Sequence, residues 1–482
     1  MENKFYLTSA IPYVNAAPHI GHAQEFVYSD VIKRYLNLTG RSVTYLCGAD
    51  ENALKIVQAA EKAGLSTQQF CDLHSKEFQD LAEKLNVGIE IWQRGSDKKY
   101  HYPSSQRLWE ICNINGDIYK KSYTGLYCVG CEQFYTSDEL DKNGECFEHP
   151  GRKLEKVEEE NYFFRLSKYQ SFLDDLISSG KLNITPEFRK NEVLSFLRQG
   201  LEDISISRSR ERAKNWGVPV PNDPKQIMYV WFDALNIYQS GIGFGWNEEK
   251  YNSLIPQDLM VIGKGITRFH TIYWPAILKS ANLPIPKSAF VHGYLTVDGQ
   301  KMSKTLGNVI DPVMLIDKYG VDPLRYYLLK EIPSYSDGDF SERRFKEVYN
   351  SDLANNLGNL VSRVSKLSNN IGLAIDKPSK SFFDIYNKLD FRSFRENLEQ
   401  FRFNEALNFI SVQITTANKK IDETKPWILT GDKLKEVLLE LIDKIIIISH
   451  LLSPFLPGTS EKIQSQFMGE IKSGKPLFPR IS

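Results

Sequence analysis

The chain has 482 residues, 41% of them hydrophobic, and its 60 Lys and Arg residues balance 60 Asp and Glu residues. This length allows two to four domains with separate cores, and the zero net charge excludes a global attraction to nucleic acid, so such contacts depend on local patches. The chain has no apolar run of membrane-spanning length, no signal peptide at residues 1–4, and only six cysteines, which argues against a disulfide scaffold. We therefore expect a cytoplasmic protein without a membrane segment.

The first elements predict a strand, a helix and a parallel strand. Lys4–Thr8 alternates like a strand, Ala23–Leu38 has apolar residues at helical spacing, and Val43–Cys47 is a second apolar run. Pro18 suits the first turn of the helix and Gly40 its end. Such a unit opens a doubly wound sheet, whose ligands bind at the carboxyl ends of the strands.

Residues that carry chemistry follow both strands. His19 and His22 share one face of the first helical turn, where imidazoles can donate hydrogen bonds to phosphate oxygens beside free backbone amides. Gly21 between them leaves room for a flat ring, although an isolated His-x-x-His is more often an exposed pair at a helix start. Asp50, after the second strand, could hold a substrate ammonium; the alternative role, as the N-cap of a helix from Ala53 to Ala63, is compatible with it.

Four residues in the next third of the chain have the spacing of zinc ligands. Pairs at C-x2-C and C-x2-H spacing can supply a closed tetrahedral set for a structural zinc ion, whereas the alternative is unrelated thiols in an intracellular protein. The candidate ligands are Cys128, Cys131, Cys146 and His149. The remaining cysteines are predicted to be small buried hydrophobes, and they are Cys47, Cys71 and Cys112.

A basic stretch and a lysine loop follow. Ile204–Lys214 alternates like a strand that puts three arginines and Lys214 on one face, either a solvated surface or a phosphate track for RNA. The loop Asp298–Asn308 contains Lys301 and Lys304, three apart, which looks like a mobile polyphosphate clamp, although such loops are usually only solvated surface.

Together, His-Ile-Gly-His at 19–22 and Lys-Met-Ser-Lys at 301–304 resemble the two signatures of class I aminoacyl-tRNA synthetases. The resemblance implies that four residues stabilise charge on the phosphates of ATP, with Mg²⁺ bridging oxygens: His19, His22, Lys301 and Lys304. It also implies the ATP-binding set His19, Gly21, His22, Gly263, Lys264, Lys301, Met302, Ser303 and Lys304.

Two further stretches narrow the resemblance to the methionyl-tRNA synthetase family. The cysteine and histidine pairs with Glu160–Arg165 look like the connective insertion of its bacterial members with one zinc, and 229–238 and 261–274 are similar to its methionine pocket. Aromatic residues at spacing four usually pack inward, yet a thioether suits aromatic faces with one phenol or imidazole near the sulfur. The implied methionine-binding set is Ala10, Ile11, Tyr13, Asp50, Trp231, Ala234, Leu235, Tyr238, Ile266, His270 and Trp274.

Four positions depart from the family pattern. Thr305 stands where the family often has Ser, a conservative change of hydroxyl. Asn52 and Ala53 replace a common His-Gly pair, and Gly265 replaces Asp, so a ribose-hydroxyl contact is absent or supplied elsewhere.

From about Phe345 the chain is predicted to be helical to its end. Leucines and valines from Leu353 to Ile371 recur by threes and fours, and Val437–Leu452 is predicted as a buried bundle helix rather than a membrane span. Core packing or surface polarity is the default for single residues there. The resemblance implies that three of them read the anticodon by stacking and edge hydrogen bonds: Asn359, Arg363 and Trp427.

The predicted architecture is α/β: a class I Rossmann-like doubly wound catalytic domain with a zinc-knuckle insertion, then an all-α anticodon-binding bundle. Further amphipathic helices are predicted at 66–86 and 104–115. The expected domains are 1–116 (catalytic, first half), 117–225 (connective insertion with the zinc knuckle), 226–344 (catalytic, second half, and stem-contact region with the lysine loop) and 345–482 (anticodon-binding).

The resemblance implies a methionine–tRNA ligase with ATP, L-methionine and tRNA(Met) as partners, Zn²⁺ as a structural ion and Mg²⁺ with ATP. A monomer is expected, because the chain ends at Ser482 soon after the bundle, without room for an appended dimerisation module. Three alternatives remain. They are a class I relative charging another apolar amino acid, a small His-x-x-His nucleotidyltransferase, and a non-catalytic tRNA-binding paralogue.

Overall fold

The computed structural model describes residues 3–128, 133–135, 140–146, 151, 153–302, 307–375 and 391–481. The chain divides into two compact units. Unit 1 comprises Met1–Pro18, Val43–Ala82 and Gly88–Val291, and unit 2 comprises His19–Ser42, Glu83–Val87 and His292–Ser482.

The strands follow in chain order: β1 (Lys4–Ser9), β2 (Ser42–Ala49), β3 (Ile91–Arg94), β4 (Ile118–Cys128), β5 (Gln133–Tyr135), β6 (Glu155–Phe164), β7 (Asn183–Thr185), β8 (Ile204–Ser205), β9 (Ser207–Ser209), β10 (Pro219–Val220), β11 (Asp223–Met228), β12 (Leu259–Gly263), β13 (Ser288–His292), β14 (Leu295–Val297), β15 (Gln300–Lys301), β16 (Gly338–Phe340), β17 (Ala374–Ile375) and β18 (Gly469–Glu470). Six of them form one sheet in the order β3-β2-β1-β12-β13-β7. In it β1 runs parallel to β12, β2 to β3 and β13 to β7. The predicted parallel sheet is confirmed.

Residues between β3 and β12 form two small antiparallel sheets in unit 1, ordered β5-β4-β6-β8 and β10-β11-β9. The predicted basic strand face is wrong. Within this stretch Ile204–Ser205 and Ser207–Ser209 are extended as β8 and β9, but residues 210–215 form a turn in which Lys214 and Asn215 have positive φ angles of 52° and 60°, and Arg208 is buried. The turn ends the two-residue alternation after Ser209, so the basic residues do not form one strand face, although Arg208 and Arg212 both lie over the Tyr127 ring, at 5.1 and 4.7 Å from its centroid.

The α-helices are Ile20–Leu38, Leu54–Ala63, Thr67–Lys84, His101–Ile114, Gln170–Ser178, Glu187–Leu197, Val230–Leu235, Ile237–Ser240, Glu248–Leu254, Trp274–Ser280, Pro312–Tyr319, Val321–Lys330, Glu342–Val348, Asn359–Asn370, Arg392–Glu399, Phe403–Thr424, Gly431–Leu452 and Pro457–Gln466. The predicted helices at 66–86 and 104–115 are present with shifted ends. Pro18, predicted in the first turn of the first helix, precedes it instead, because His19 is the N-cap. The second helix, predicted at Ala53–Ala63, is present as Leu54–Ala63, with Ala53 as its N-cap, so the alternative role of Asp50 as a cap is excluded. Gly40 follows the first helix with φ +88°, as predicted for a C-terminal glycine.

A buried arginine fixes the first helix within unit 2. The Arg325 guanidinium, with no solvent exposure, lies 2.7 Å from Asp30 Oδ2 on that helix. It also donates to the carbonyl oxygens of Leu85, Pro454 and Phe455 at 2.8–3.1 Å. A fully buried charge needs such pairing. The middle of this helix is thereby anchored to the C-terminal part of the chain.

The C-terminal part of unit 2 is helical, as predicted. Helix Gly431–Leu452 buries Leu438, Leu441 and Ile445 almost completely, and none of the helices in the described ranges is long and apolar enough to cross a membrane. A π-helix, Tyr349–Gly358, runs into Asn359–Asn370. Two expectations are wrong: Ile371 is 42% exposed instead of continuing the core pattern, and the described residues 471–481 contain no helix.

Candidate active site

The two histidines of the first motif cap their helix reciprocally. The Gly21 N–H donates to His19 Nδ1 at 3.1 Å, and the His19 N–H donates to His22 Nδ1 at 3.1 Å. Because Nδ1 of each ring accepts, the proton of each neutral imidazole lies on Nε2. The rings stack with centroids 3.8 Å apart. Burial, and secondarily His19, hold the pKa of His22 well below its ordinary value. With both Nδ1 atoms accepting, the pair presents two neutral rings whose N–H donors are at Nε2.

The start of the lysine loop lies against this helix start within unit 2. A Cβ placed on Gly21 would lie 3.5 Å from Met302 Cε, and the Ile20 N–H donates to the Ile310 carbonyl at 3.0 Å. The backbone of Lys301 pairs with Thr296 across β15 and β14. Ser303, Lys304 and Thr305 lie outside the described residues. The two signature motifs are thus neighbours at Met302.

The methionine-binding set predicted from the sequence lies wholly in unit 1, in the segments that follow β1, β2, β11 and β12. After β1, the Ala10 N–H donates to the Val261 carbonyl of β12 at 2.9 Å. Tyr13 forms a parallel bridge with Asp50, whose N–H donates to the Pro12 carbonyl at 2.9 Å. Asp50 is 2% exposed. These bonds hold the segment after β1 and the carboxylate after β2 side by side.

Aromatic rings follow from two further segments. The Trp231 ring, on helix Val230–Leu235, stacks on Phe269 at 3.8 Å and meets Tyr13 edge-on at 6.1 Å. Ala234 and Leu235 are buried on the same helix, whereas Ile11 and Ile266 are half-buried. Sequence reasoning missed Phe269. Its only signal was its position directly before His270.

His270 is held in one tautomer by two hydrogen bonds. Its Nδ1 lies 2.9 Å from the Ile266 carbonyl, which can only accept, so Nδ1 carries the proton. Its Nε2, 2.9 Å away, therefore accepts from the Tyr238 hydroxyl. Burial lowers the pKa of His270 to about 4. His270 lies in a π-helical turn, Phe269–Tyr273, a feature common at functional sites.

Both tryptophans of the set have an indole N–H with no hydrogen-bond partner in the described part of the chain. Trp274 has no solvent exposure, and Trp231 is 9% exposed. Trp274 therefore lies deep in the core, whereas Trp231 lies close to the surface. Of the ATP set, Gly263 ends β12 and Lys264 begins the 3₁₀ turn Lys264–Ile266.

Two of the predicted zinc ligands lie together. The Sγ atoms of Cys128, at the end of β4, and Cys146 are buried and 3.2 Å apart. Two thiolates on one tetrahedral zinc ion lie about 3.8 Å apart, so a small adjustment lets both bind one ion. Cys131 and His149 fall outside the described residues, within which no group of three or more His, Cys, Asp or Glu could hold a metal ion. As predicted, Cys47, Cys71 and Cys112 are buried.

Two of the three predicted anticodon residues meet in unit 2. The Arg363 guanidinium carbon lies 5.6 Å from the Trp427 ring centroid, and Nη2 donates to Asp422 Oδ1 at 2.9 Å. Trp427 is 53% exposed, which is unusual for so large an apolar ring. Asn359 is exposed one helical turn before Arg363.

Comparisons with known proteins agree with this geometry. The family model described as "tRNA synthetases class I (M)" matches residues 5–365. Proteins named methionine–tRNA ligase from Thermotoga maritima and Clostridium acetobutylicum are each 42% identical, over 98% and 99% of this chain and 76% and 75% of their own lengths. A solved structure of Mycobacterium tuberculosis methionyl-tRNA synthetase in complex with methionyl-adenylate superposes with a TM-score of 0.91 at 35% identity, covering 99% of this chain and all of that one.

Proposed function

The chain belongs to the class I methionyl-tRNA synthetase family and is a methionine–tRNA ligase, and we propose which of its residues carry each step of that reaction. Methionine is first activated with ATP to methionyl-adenylate and pyrophosphate, and is then transferred to the 3′-terminal adenosine of tRNA(Met). The observation that carries the residue assignment is the pair of neutral imidazoles whose Nδ1 atoms are both engaged by the backbone at one helix start.

In the first step, the carboxylate of methionine attacks the α-phosphate of ATP in line, and pyrophosphate leaves. No protein nucleophile is needed, since positioning and charge stabilisation suffice. His19 and His22 donate from Nε2 to phosphate oxygens, because their Nδ1 atoms are occupied. As neutral donors they orient the phosphates, so the positive charge falls to Lys301, Lys304 and the Mg²⁺ that accompanies ATP. The remaining ATP contacts assigned are Gly21, Gly263, Lys264, Met302 and Ser303.

Methionine is held at its two ends. Asp50, a buried carboxylate after β2, pairs with the ammonium group. The thioether lies among the predicted aromatic and aliphatic residues, with the Tyr238 hydroxyl and His270 nearest the sulfur. Since Tyr238 donates its proton to His270, its oxygen is fixed in direction. Rejection of Leu and Ile then depends on shape and on the sulfur contact, about 1–3 kcal/mol per methylene-sized difference.

The second step, transfer to tRNA, uses residues other than those that bind methionine. The adenosine hydroxyl of tRNA attacks the activated carbonyl and AMP leaves. Trp427 offers an exposed ring on which an unstacked anticodon base can stack, while Arg363 and Asn359 bond base edges. We propose that the chain works as a cytoplasmic monomer, because every assigned residue comes from one chain and translation is its pathway. We also propose the four functional domains 1–116, 117–225, 226–344 and 345–482.

A structural zinc ion is proposed at Cys128, Cys131, Cys146 and His149. The adjacent buried thiols of Cys128 and Cys146 support it. A closed four-ligand ion of this kind stabilises its knuckle and has no open position for catalysis.

The experiment that tests the function is ATP–pyrophosphate exchange measured with each of the twenty amino acids. We expect strong exchange with methionine alone. Dominant exchange with another amino acid would assign a different specificity, and absence of exchange with all twenty would favour a non-catalytic paralogue.

A further inference from the structure

A buried polar cluster connects two segments of the proposed methionine site. It consists of Asn52, His101 and Asp233, which are 7%, 0% and 1% exposed. Asn52 follows Asp50 by two residues. Asp233 lies on the helix Val230–Leu235, between the pocket residues Trp231 and Ala234. The cluster therefore joins the segment proposed to hold the ammonium group to the helix proposed to hold the thioether.

Asn52 is the central donor of this cluster. Its Nδ2 donates to the Gly95 carbonyl at 2.8 Å and to Asp233 Oδ2 at 2.6 Å. Both partners only accept, so the amide must present its nitrogen, and a single nitrogen with two hydrogens serves both. A hydrogen bond to an ionised, buried carboxylate is among the stronger kinds.

Asp233 has few other partners. His101 Nε2 lies 3.5 Å from the same Oδ2 atom, and His101 Nδ1 lies 2.9 Å from Ser240 Oγ. The other carboxylate oxygen, Oδ1, has no hydrogen-bond partner in the described part of the chain. Burial raises the pKa of Asp233, and His101 opposes that rise. Without Asn52, the carboxylate would keep the longer contact to His101 and the interaction with its own backbone N–H.

We propose that Asn52 is a positioning residue for methionine binding, and that its bond to Asp233 fixes the distance between Asp50 and the pocket helix. The inference rests on the proposed function, which places the two ends of methionine at these two segments. A ligand held at both ends tolerates little change in the separation of its anchors, because both contacts must form together.

The departure of this chain from the common His at position 52 supplies a rescue variant. In histidine, Nδ1 stands the same number of bonds from Cβ as Nδ2 does in asparagine, so an imidazole can still donate to Asp233. It has one hydrogen on that nitrogen, so it cannot serve Gly95 as well. Asn52→His should therefore keep the hydrogen bond to Asp233 and lose the one to the Gly95 carbonyl.

The test measures the KM for methionine, the KM for ATP and kcat by pyrophosphate exchange. We expect Asn52→Ala to raise the methionine KM about tenfold or more, the effect of losing a hydrogen bond to a charged group, with little change in the ATP KM. Asn52→His should recover most of the loss. A wild-type methionine KM in Asn52→Ala, or no recovery in Asn52→His, overturns the proposal.

Asn161→Ala is the matched control. Asn161 is another buried amide that donates to a carboxylate, Glu159 Oε2 at 3.2 Å, but it lies on β6 in a different sheet and belongs neither to the methionine set nor to the Asn52 cluster. It should lower the melting temperature and leave the methionine KM unchanged. A rise in methionine KM there as large as in Asn52→Ala would show a general effect of instability and contradict the proposal.

Asp233→Asn covers the case in which Asn52→Ala does not fold. This variant keeps an acceptor for Asn52 but removes its charge, so the bond is weakened by about half. A severalfold rise in methionine KM is expected, and an unchanged KM contradicts the positioning role. If the proposed function itself were wrong, the wild-type chain would show no methionine-dependent exchange. That outcome is distinct from a failure of the positioning role, which would show only in the variants.

Discussion

Gly21→Ala is the sharpest test of the histidine pair. The added Cβ would lie 3.0 Å from His19 Cε1 and 3.1 Å from His19 Nδ1, closer than ordinary carbon contacts. The His19 ring is not free to move aside, because its Nδ1 accepts from the Gly21 N–H at 3.1 Å and its face stacks on the His22 ring. We expect the ring to shift by a few tenths of an ångström and to lose its capping bond.

The expected effects on stability and on activity differ. Replacing glycine by alanine in a helix contributes about 1 kcal/mol, and loss of an N-cap costs about 1 kcal/mol, so the free energy of unfolding should change little. Misplacement of a catalytic group by 1 Å can cost about 100-fold, so this smaller shift should lower the exchange kcat about tenfold or more. Methionine affinity should be unchanged, since the substitution touches none of the proposed methionine residues.

The assay is pyrophosphate exchange at saturating substrates, with methionine affinity from equilibrium binding and stability from denaturant unfolding. Asn37→Ala is the control, because it changes an exposed residue near the far end of the same helix. A folded Gly21→Ala variant with wild-type kcat would refute the proposed role of the histidine rings.

Four further outcomes are expected. Lys304→Ala should strongly reduce adenylation and leave methionine affinity nearly unchanged; a wild-type exchange rate would remove Lys304 from the reaction. Burial lowers the pKa of His270 from 6.5 to about 4, so the unfolded chain takes up this proton first as pH falls. His270 therefore lowers the free energy of unfolding as pH falls from 6.5 towards 4, and has no such effect above pH 6.5. Between pH 7 and pH 5 the expected loss is ~2 kcal/mol. The free energy of unfolding of the wild type and of His270→Asn, measured with denaturant at pH 7 and pH 5, checks this loss. If both proteins lose the same free energy between the two pH values, the assignment to His270 is wrong. Trp427→Ala and Arg363→Ala should each raise the KM for tRNA(Met) and leave pyrophosphate exchange intact; altered exchange would argue against an anticodon role. Metal analysis should find one zinc ion per chain, and Cys146→Ser should lower both zinc content and melting temperature, whereas a zinc-free wild-type chain of full stability would exclude the knuckle.

Local patterns were enough for several parts of this protein. Strand β1, the helix after it and Gly40 follow from periodicity and backbone preference, which act within a few residues. The same locality explains two failures. Pro18 and Asp50 have suitable residue types for a helix start, but the N-caps are His19 and Ala53. Residue type alone does not choose between neighbouring positions: His19 caps through its bonds with Gly21 and His22, and Asp50 is instead held beside the segment after β1 by backbone bonds to Pro12 and Val14.

By itself, the sequence determined the chemistry available: two histidines three apart, a lysine loop, and aromatic residues after later strands. Only the tertiary structure decided how these groups are used, because that depends on contacts between distant residues. Tyr238 meets His270 across 32 positions and thereby sets its tautomer, and Asn52 meets Asp233 across 181. Arg208 is buried although its local pattern resembles a surface strand. Burial and long-range hydrogen bonds are properties of the packed chain, and no local spacing encodes them.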